Sequence, residues 1–338
     1  MSKEELISTA QAMTPAGRGI LAADESTGTI KKRFDTIGVE STEGTRRAYR
    51  GMLFTTPGAE EHISGVIMYD ETVRQQTDDG TPFPLLLAGK GIVPGIKVDT
   101  GAKKLAGFPG EKVTEGLDGL RERLAEYYEL GARFAKWRAV ITIGEGIPTT
   151  TCINANAHAL ARYAALCQEA SIVPIVEPEV LMDGDHTIER YEEVTTATLV
   201  RVYAALHEHR VLLEGTILKP NMVLSGSTCP VQADTNQVAD ATVRTLLRTV
   251  PAAVPGIAFL SGGQTPEQAT AHLNAMNERH PDLPWELSFS YGRALQQPVL
   301  QAWRGEAANV PAAQQAFLHR AKLNGLARYG KYTADMEG

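Results

Sequence analysis

The stretch Phe134-Ala135-Lys136-Trp137-Arg138-Ala139-Val140-Ile141 sets two cations inside an otherwise apolar run. In an extended strand successive side chains point to opposite faces, so Phe134, Lys136 and Arg138 share one face and Ala135, Trp137 and Ala139 the other. A strand with one cationic and one apolar face is either an exposed edge or a barrel strand, covered outside by helices and opening inside onto the barrel mouth. The rest of the chain decides between them. Short runs rich in Val, Ile, Leu and Ala, without clean polar alternation, recur about eight times, over 20–23, 65–69, 92–98, 134–141, 172–176, 212–218, 257–260 and 287–290. Strands of that kind are buried on both faces, and eight of them with helices between predict a closed α/β fold, the (β/α)8 TIM barrel.

The intervening segments read as helices. Leu117, Leu120, Leu124, Tyr127 and Tyr128 fall at helical spacing, with Gly131 placed for a left-handed cap. Thr265-Pro266-Glu267-Gln268 offers an N-cap, a first-turn proline and a capping-box Gln, predicting a helix to about Glu278. No Gly/Ser linker or mid-chain shift in composition marks a boundary, so residues 1–338 read as one barrel domain. A doubly wound open sheet is the alternative, but the first strand lacks the Gly-x-Gly-x-x-Gly turn that would support it.

Composition narrows the function classes. An apolar fraction of 43% with 22% charged residues suits a chain with a large core. The net charge of −7 gives no general attraction to nucleic acid or anionic lipid, so an anionic ligand must be held by a local cluster of cations. No apolar run approaches the roughly 20 residues of a membrane helix, and Met1-Ser2-Lys3-Glu4-Glu5 lacks the apolar core of a secretory signal. A cytoplasmic protein with neither membrane nor nucleic-acid partner is expected. Cys152, Cys167 and Cys229 are scattered and odd in number, which predicts free thiols.

Barrel chemistry sits where strands end and βα loops begin. Those positions hold Asp24 and Ser26, Lys97 and Asp99, Lys136 and Arg138, Glu177 and Glu179, Lys219, Ser261-Gly262-Gly263, and Ser290-Tyr291-Gly292-Arg293. Singly, each reads as a solvated strand end; together they outline a mouth lined by charge. Lys219 follows Gly215 and Ile217 at even spacing and so points inward. An inward lysine among apolar and cationic neighbours favours the neutral amine that attacks a carbonyl; Lys136 would supply the like charge and Glu177 a proton shuttle. Ser261, Gly262, Gly292 and Arg293 offer backbone N–H groups and a guanidinium for a phosphate after strands seven and eight, while Ser26, Thr29 and Arg33 suit a second phosphate. No histidine pair has metal-ligand spacing, and neither a nucleophile elbow nor a nucleotide phosphate loop occurs, so no metal and no cofactor are expected.

These residues resemble the class I fructose-1,6-bisphosphate aldolases. The likeness runs through Gly19 to Ser26, Gly95 to Asp99, Phe134 to Arg138, Val176 to Glu179, Leu218 to Asn221, Leu260 to Gln264 and Ser290 to Ala294, in order and spacing, over nearly the whole chain. The resemblance implies a Schiff base at Lys219, with Glu177 as its acid and base, and Asp24 taking the C4 hydroxyl proton. It also implies that Glu179 and Lys136 tune the site. Ser261, Gly262 and Arg293, beside Ser290 and Gly292, would hold the C1 phosphate; Ser26, Thr29 and Lys97 would lie toward the C6 phosphate, with Arg33 and Arg138 as secondary contacts. The implied partner is a phosphorylated sugar, the implied products are dihydroxyacetone phosphate and glyceraldehyde 3-phosphate, and the implied assembly is a homotetramer. Animal members continue past a Gly-Lys-Tyr-Thr stretch into a tail ending in a catalytic tyrosine, whereas this sequence reaches Gly338 soon after Tyr332. The resemblance is therefore to the bacterial branch, and proton exchange on the product is expected to fall to water or a barrel carboxylate. A transaldolase-like enzyme for a singly phosphorylated substrate, or a binding protein on the same barrel, are the competing readings; two opposed phosphate sites and a full set of acid, base and nucleophile count against them.

Overall fold

The computed structural model describes residues 3–338, so the reading of Met1 and Ser2 lies outside the described residues. Helix α1 (Lys3–Met13) leads into β1 (Gly19–Ala23), α2 (Thr27–Asp35), α3 (Glu43–Phe54), β2 (Ile63–Met68), α4 (Asp70–Val73), α5 (Phe83–Gly89) and β3 (Val93–Lys97). A small hairpin follows, β4 (Gly101–Lys104) with β5 (Lys112–Glu115). The chain then alternates through α6 (Leu120–Glu129), β6 (Phe134–Ile141), α7 (Thr150–Glu169), β7 (Val173–Val180), α8 (Ile188–Glu208), β8 (Ile217–Leu218), α9 (Thr235–Thr249) and β9 (Gly256–Phe259). It ends with α10 (Pro266–Arg279), β10 (Glu286–Tyr291), α11 (Arg293–Trp303) and α12 (Val310–Ala327). Eight strands close a parallel barrel in the order β1-β2-β3-β6-β7-β8-β9-β10.

The two faces of β6 go where the alternation sends them. Phe134 packs inside the barrel with Ile20, Ile67, Ile175, Ile217 and Ala258, while Ala135, Trp137 and Ala139 belong to the cluster shared with the surrounding helices. Trp137 lies against Tyr163 of α7, ring centroids 5.6 Å apart. The Phe134 ring fits because its neighbour on β3 is Gly95, where a Cβ would stand only 2.2 Å from it. Leu6, Ala10 and Met13 of α1 join the same interior cluster, and the Ser64 hydroxyl at the start of β2 donates to the Met13 carbonyl. Helix α1 thus stoppers the end of the barrel where strands begin, each buried Leu or Met contributing roughly 1.5–3 kcal/mol. The interior is apolar at that end, which leaves the opposite end for the charged residues.

Local signals fare well where backbone chemistry is specific. Thr265 caps α10 with the reciprocal capping box to Gln268, and the helix runs to Arg279. Gly131 follows α6 with a φ of 104°, a left-handed conformation that suits glycine. Helix α6 starts at Leu120 rather than Leu117, because Gly119 stands at its N-cap with a φ of 64°. The expected strand over 212–218 shrinks to Ile217–Leu218, since 213–215 form a 3-10 turn. Strand β7 extends to Val180, so Glu177 and Glu179 lie within it rather than beyond its end. The three cysteines are free and buried, and no described helix is long and apolar enough to cross a membrane.

Candidate active site

The fifteen residues given a catalytic or binding role from the sequence line one cavity of about 1360 Å³ at the strands' C-terminal end: Asp24, Ser26, Thr29, Arg33, Lys97, Lys136, Arg138, Glu177, Glu179, Lys219, Ser261, Gly262, Ser290, Gly292 and Arg293; Tyr291, also at a strand end, is buried outside it. At its floor, Lys136 Nζ lies 2.6 Å from Asp24 Oδ2 and 3.4 Å from Glu177 Oε2, and Lys219 Nζ lies 3.1 Å from Glu177 Oε1. Lys136, Glu177 and Lys219 are each at most 4% exposed. Glu177 therefore bridges the two ammonium groups. Its Oε2 is buried and accepts no aligned hydrogen bond.

Adjacent strands build this cluster. The register sets Lys136 of β6 beside Lys97 of β3 and Arg138 beside Glu177 of β7, while the Lys219 backbone N–H donates to Val176 O at 2.8 Å. The outcome differs from the expectation of a cation-rich pocket. Lys97 pairs with Asp99 at 2.7 Å and Arg138 with Glu179, so four cations face four carboxylates. Like-charge repulsion from Lys136 is screened by the Glu177 carboxylate between it and Lys219, and the Lys219–Glu177 contact is instead a direct path for a proton.

Electrostatics sort the roles. Burial alone would raise the Asp24 carboxyl, but Lys136, Lys219 and Lys97 outweigh it and hold the group ionised, well below the usual carboxylate range. Burial would lower Lys136, yet Asp24, Glu177 and Asp99 outweigh it and keep this ammonium above the ordinary lysine range. Lys136 is thus a fixed charge rather than a proton donor.

Two rims flank the cluster. On one, Ser26 stands at the N-terminus of α2, its hydroxyl 3.1 Å from that of Thr29, where unpaired helix N–H groups favour an anion. On the other, Gly262 and Gly263 adopt positive φ values of 35° and 91° beside Ser261, and a Cβ on Gly262 would meet the Asn221 side-chain nitrogen at 2.3 Å. Ser261, Gly262 and Gly263 all line the cavity, and a turn of this backbone type suits an anion. Ser290 Oγ is buried with no partner, and Arg293 begins α11. Of the four expected cationic phosphate ligands, Arg33 is held by Glu25, Lys97 by Asp99 and Arg138 by Glu179. Among the described residues only Arg293 of the four lacks a carboxylate.

Sequence reasoning set Asp99 at a strand end but saw neither its contacts nor the part played by Glu25. Glu25, 4% exposed at its side chain, takes Arg50 at 3.0 Å, Arg33, and the Gln296 amide at 2.8 Å, and so fixes the loop between Asp24 and Ser26. Asp99 accepts both Lys97 Nζ and, at 3.3 Å, the Arg138 backbone N–H. Glu25 has no partner at a readable local spacing. Asp99 neighbours Lys97 but reaches Arg138 only across the barrel wall.

Fold and site together define a (β/α)8-barrel enzyme. Residues 5–338 match the family described as fructose-bisphosphate aldolase class-I. A probable class 1 fructose-bisphosphate aldolase of Xanthomonas campestris is 62% identical over 98% of this chain and 99% of its own. The cytosolic fructose-bisphosphate aldolase 6 of Arabidopsis thaliana is 56% identical over 98% of this chain and 92% of its own. Among solved structures, the fructose-bisphosphate aldolase of Plasmodium falciparum, in complex with TRAP and a small-molecule inhibitor, superposes with a TM-score of 0.96 at 52% identity, covering 98% of this chain and 96% of that one. The chain belongs to the class I fructose-bisphosphate aldolase family and is a lyase.

Proposed function

We propose that Lys219 is the nucleophile that splits fructose 1,6-bisphosphate, and the observation that carries this is its buried contact with Glu177 at 3.1 Å. Glu177 takes a proton from the ammonium, the freed amine adds to the C2 carbonyl, a second proton passes from the nitrogen to the C2 oxygen to give the carbinolamine, and Glu177 returns its own proton to that hydroxyl, which leaves as water. The protonated imine then acts as electron sink. Asp24 removes the C4 hydroxyl proton, the C3–C4 bond breaks, glyceraldehyde 3-phosphate departs, and the bonding pair enters the imine as an enamine. Protonation at C3 and hydrolysis release dihydroxyacetone phosphate and restore Lys219; the reverse sequence forms the bond. An imine sink takes the place that a Lewis-acid metal would fill.

Lys136 acts in this scheme as the fixed charge that keeps Asp24 ionised, and Glu179 orients Arg138. Ser261, Gly262, Ser290, Gly292 and Arg293 receive the C1 phosphate; Ser26, Thr29, Lys97, Arg33 and Arg138 face the C6 phosphate. The whole chain works as one domain, in a cytoplasmic homotetramer serving both glycolysis and gluconeogenesis. The deciding experiment is borohydride reduction with dihydroxyacetone phosphate followed by mass mapping. The adduct is expected on Lys219 and absent from Lys219→Ala; an adduct on Lys136 or Lys97 would overturn the assignment.

A further inference from the structure

The turn Ser261-Gly262-Gly263-Gln264 is held from behind. The Ser261 carbonyl accepts both the Gln264 backbone N–H at 2.9 Å and its side-chain Nε2 at 3.1 Å. A carbonyl oxygen only accepts, so the amide orientation is fixed: Nε2 faces Ser261 and Oε1 faces away. Oε1 lies 2.6 Å from Nδ1 of His272 on α10, and therefore Nδ1 carries the hydrogen. Both side chains are buried, Gln264 at 3% and His272 at 8% exposure. Burial pushes the His272 ring down to about 4, so near neutral pH it is uncharged and donates through Nδ1 without a buried charge.

We propose that His272 is a positioning residue for phosphate binding, a donor that locks Gln264 and through it the conformation of the Ser261–Gln264 turn. The inference rests on the reading that this turn receives the C1 phosphate. His272 lies outside the cavity lining and touches no substrate; it acts through Gln264. With positive φ at Gly262 and Gly263, the turn has little intrinsic preference for the conformation that converges its N–H groups. The opposite flank is packed against Asn221 and Met182, so the Gln264–His272 contact completes the clamp.

The test compares His272→Leu, which fills the site but cannot donate, with His272→Asn, whose amide nitrogen stands near the place of Nδ1. Measured are KM for fructose 1,6-bisphosphate, competitive inhibition by inorganic phosphate, kcat and thermal stability. His272→Leu is expected to raise KM and the phosphate inhibition constant about three- to tenfold, the scale of one buried hydrogen bond, and by more than any fall in kcat. His272→Asn should return both to within about twofold. A purely structural histidine would lower the melting temperature and leave phosphate inhibition untouched, and that result overturns the proposal, as does a folded His272→Asn that fails to restore binding. Ser261→Ala separates the two levels: if it too leaves phosphate inhibition unchanged, the phosphate reading of the turn has failed, whereas a change there with none in His272→Leu refutes only the clamp. Should His272→Leu not fold, Gln264→Glu carries the same expectation, because it sets an acceptor against the Ser261 carbonyl.

Discussion

Replacing Lys136 by methionine removes one positive charge and keeps the stem. In the structure that charge is 4% exposed and compensates two carboxylates, the largely buried Asp24 at 2.6 Å and the buried Glu177 at 3.4 Å. Losing one partner of a buried pair costs about 3–5 kcal/mol, because a charge is left behind in a poorly solvating site. For 338 residues, at about 2.1 cal/mol/K of unfolding entropy per residue, this corresponds to a fall in Tm of about 4–7 °C. The pH dependence follows from the two shifts. Asp24 is depressed in the folded state, so its contribution is present above the unfolded carboxylate value and is lost as pH falls toward the folded one. Lys136 is raised, so its contribution is fully present below the unfolded lysine value and is lost as pH rises from there through the folded one. The stability gap between wild type and Lys136→Met should therefore be flat from about pH 5 to about pH 10, with about 1 kcal/mol gone by pH 3. Equilibrium urea unfolding at several pH values, with circular dichroism as probe, measures this directly. A gap under about 1 kcal/mol at pH 7, or one that stays constant down to pH 3, would show that Lys136 does not hold Asp24 ionised. In the same variant kcat should fall by about 100-fold or more, since the base that takes the C4 proton loses its support.

Three further outcomes are expected. Arg293→Ala should raise KM for fructose 1,6-bisphosphate by more than about tenfold while imine trapping at Lys219 persists, since a guanidinium free of any carboxylate is the strongest phosphate ligand on its rim; an unchanged KM would remove Arg293 from the site. Prolonged chelation should leave the cleavage rate unchanged, and a loss restored by zinc would contradict an imine electron sink. Tyr332→Phe should leave solvent proton exchange on dihydroxyacetone phosphate intact. The Tyr332 hydroxyl donates to Glu337 at 2.8 Å, its backbone is held by Asn274, and burial followed by Glu337 pushes the phenol above its ordinary range, making it a poorer acid. Loss of exchange with trapping preserved would return Tyr332 to the proton path.

The barrel was legible because strands covered on both faces must be apolar throughout, and a lysine or arginine within such a strand can only point to a mouth. Parity did the same for Lys219: Ile217 lies in the interior cluster, so the residue two further on faces the cavity even though the strand is far shorter than expected. The hairpin of β4 and β5 was not legible, since Gly-Ala-Lys-Lys and Lys-Val-Thr-Glu lack both alternation and β-rich composition. It is held by distant contacts instead. Glu111, in its turn, accepts the Thr149 backbone N–H and hydroxyl, each at 2.6 Å, at the start of α7, and the Thr114 hydroxyl donates to Arg138 O. The charge balance of the site was hidden for the same reason. Glu25 meets Arg50, and Glu177 meets both Lys136 and Lys219, across separations no local pattern encodes.

The brevity of β8 shifts the burden of holding the nucleophile's strand onto residues that never approach a substrate. Past Lys219, whose N–H still pairs with the Val176 carbonyl, the chain leaves the ladder yet stays buried through Ser225, and side chains take up amides there. The Val223 N–H is accepted by the Thr242 hydroxyl at 2.9 Å, and the Ala233 N–H by the Ser225 hydroxyl at 3.0 Å. Thr242 belongs to α9, on the outer ring of helices. A serine at this outer position keeps the acceptor for the Val223 N–H, while valine, equal in shape to threonine, strands an amide four residues from Lys219.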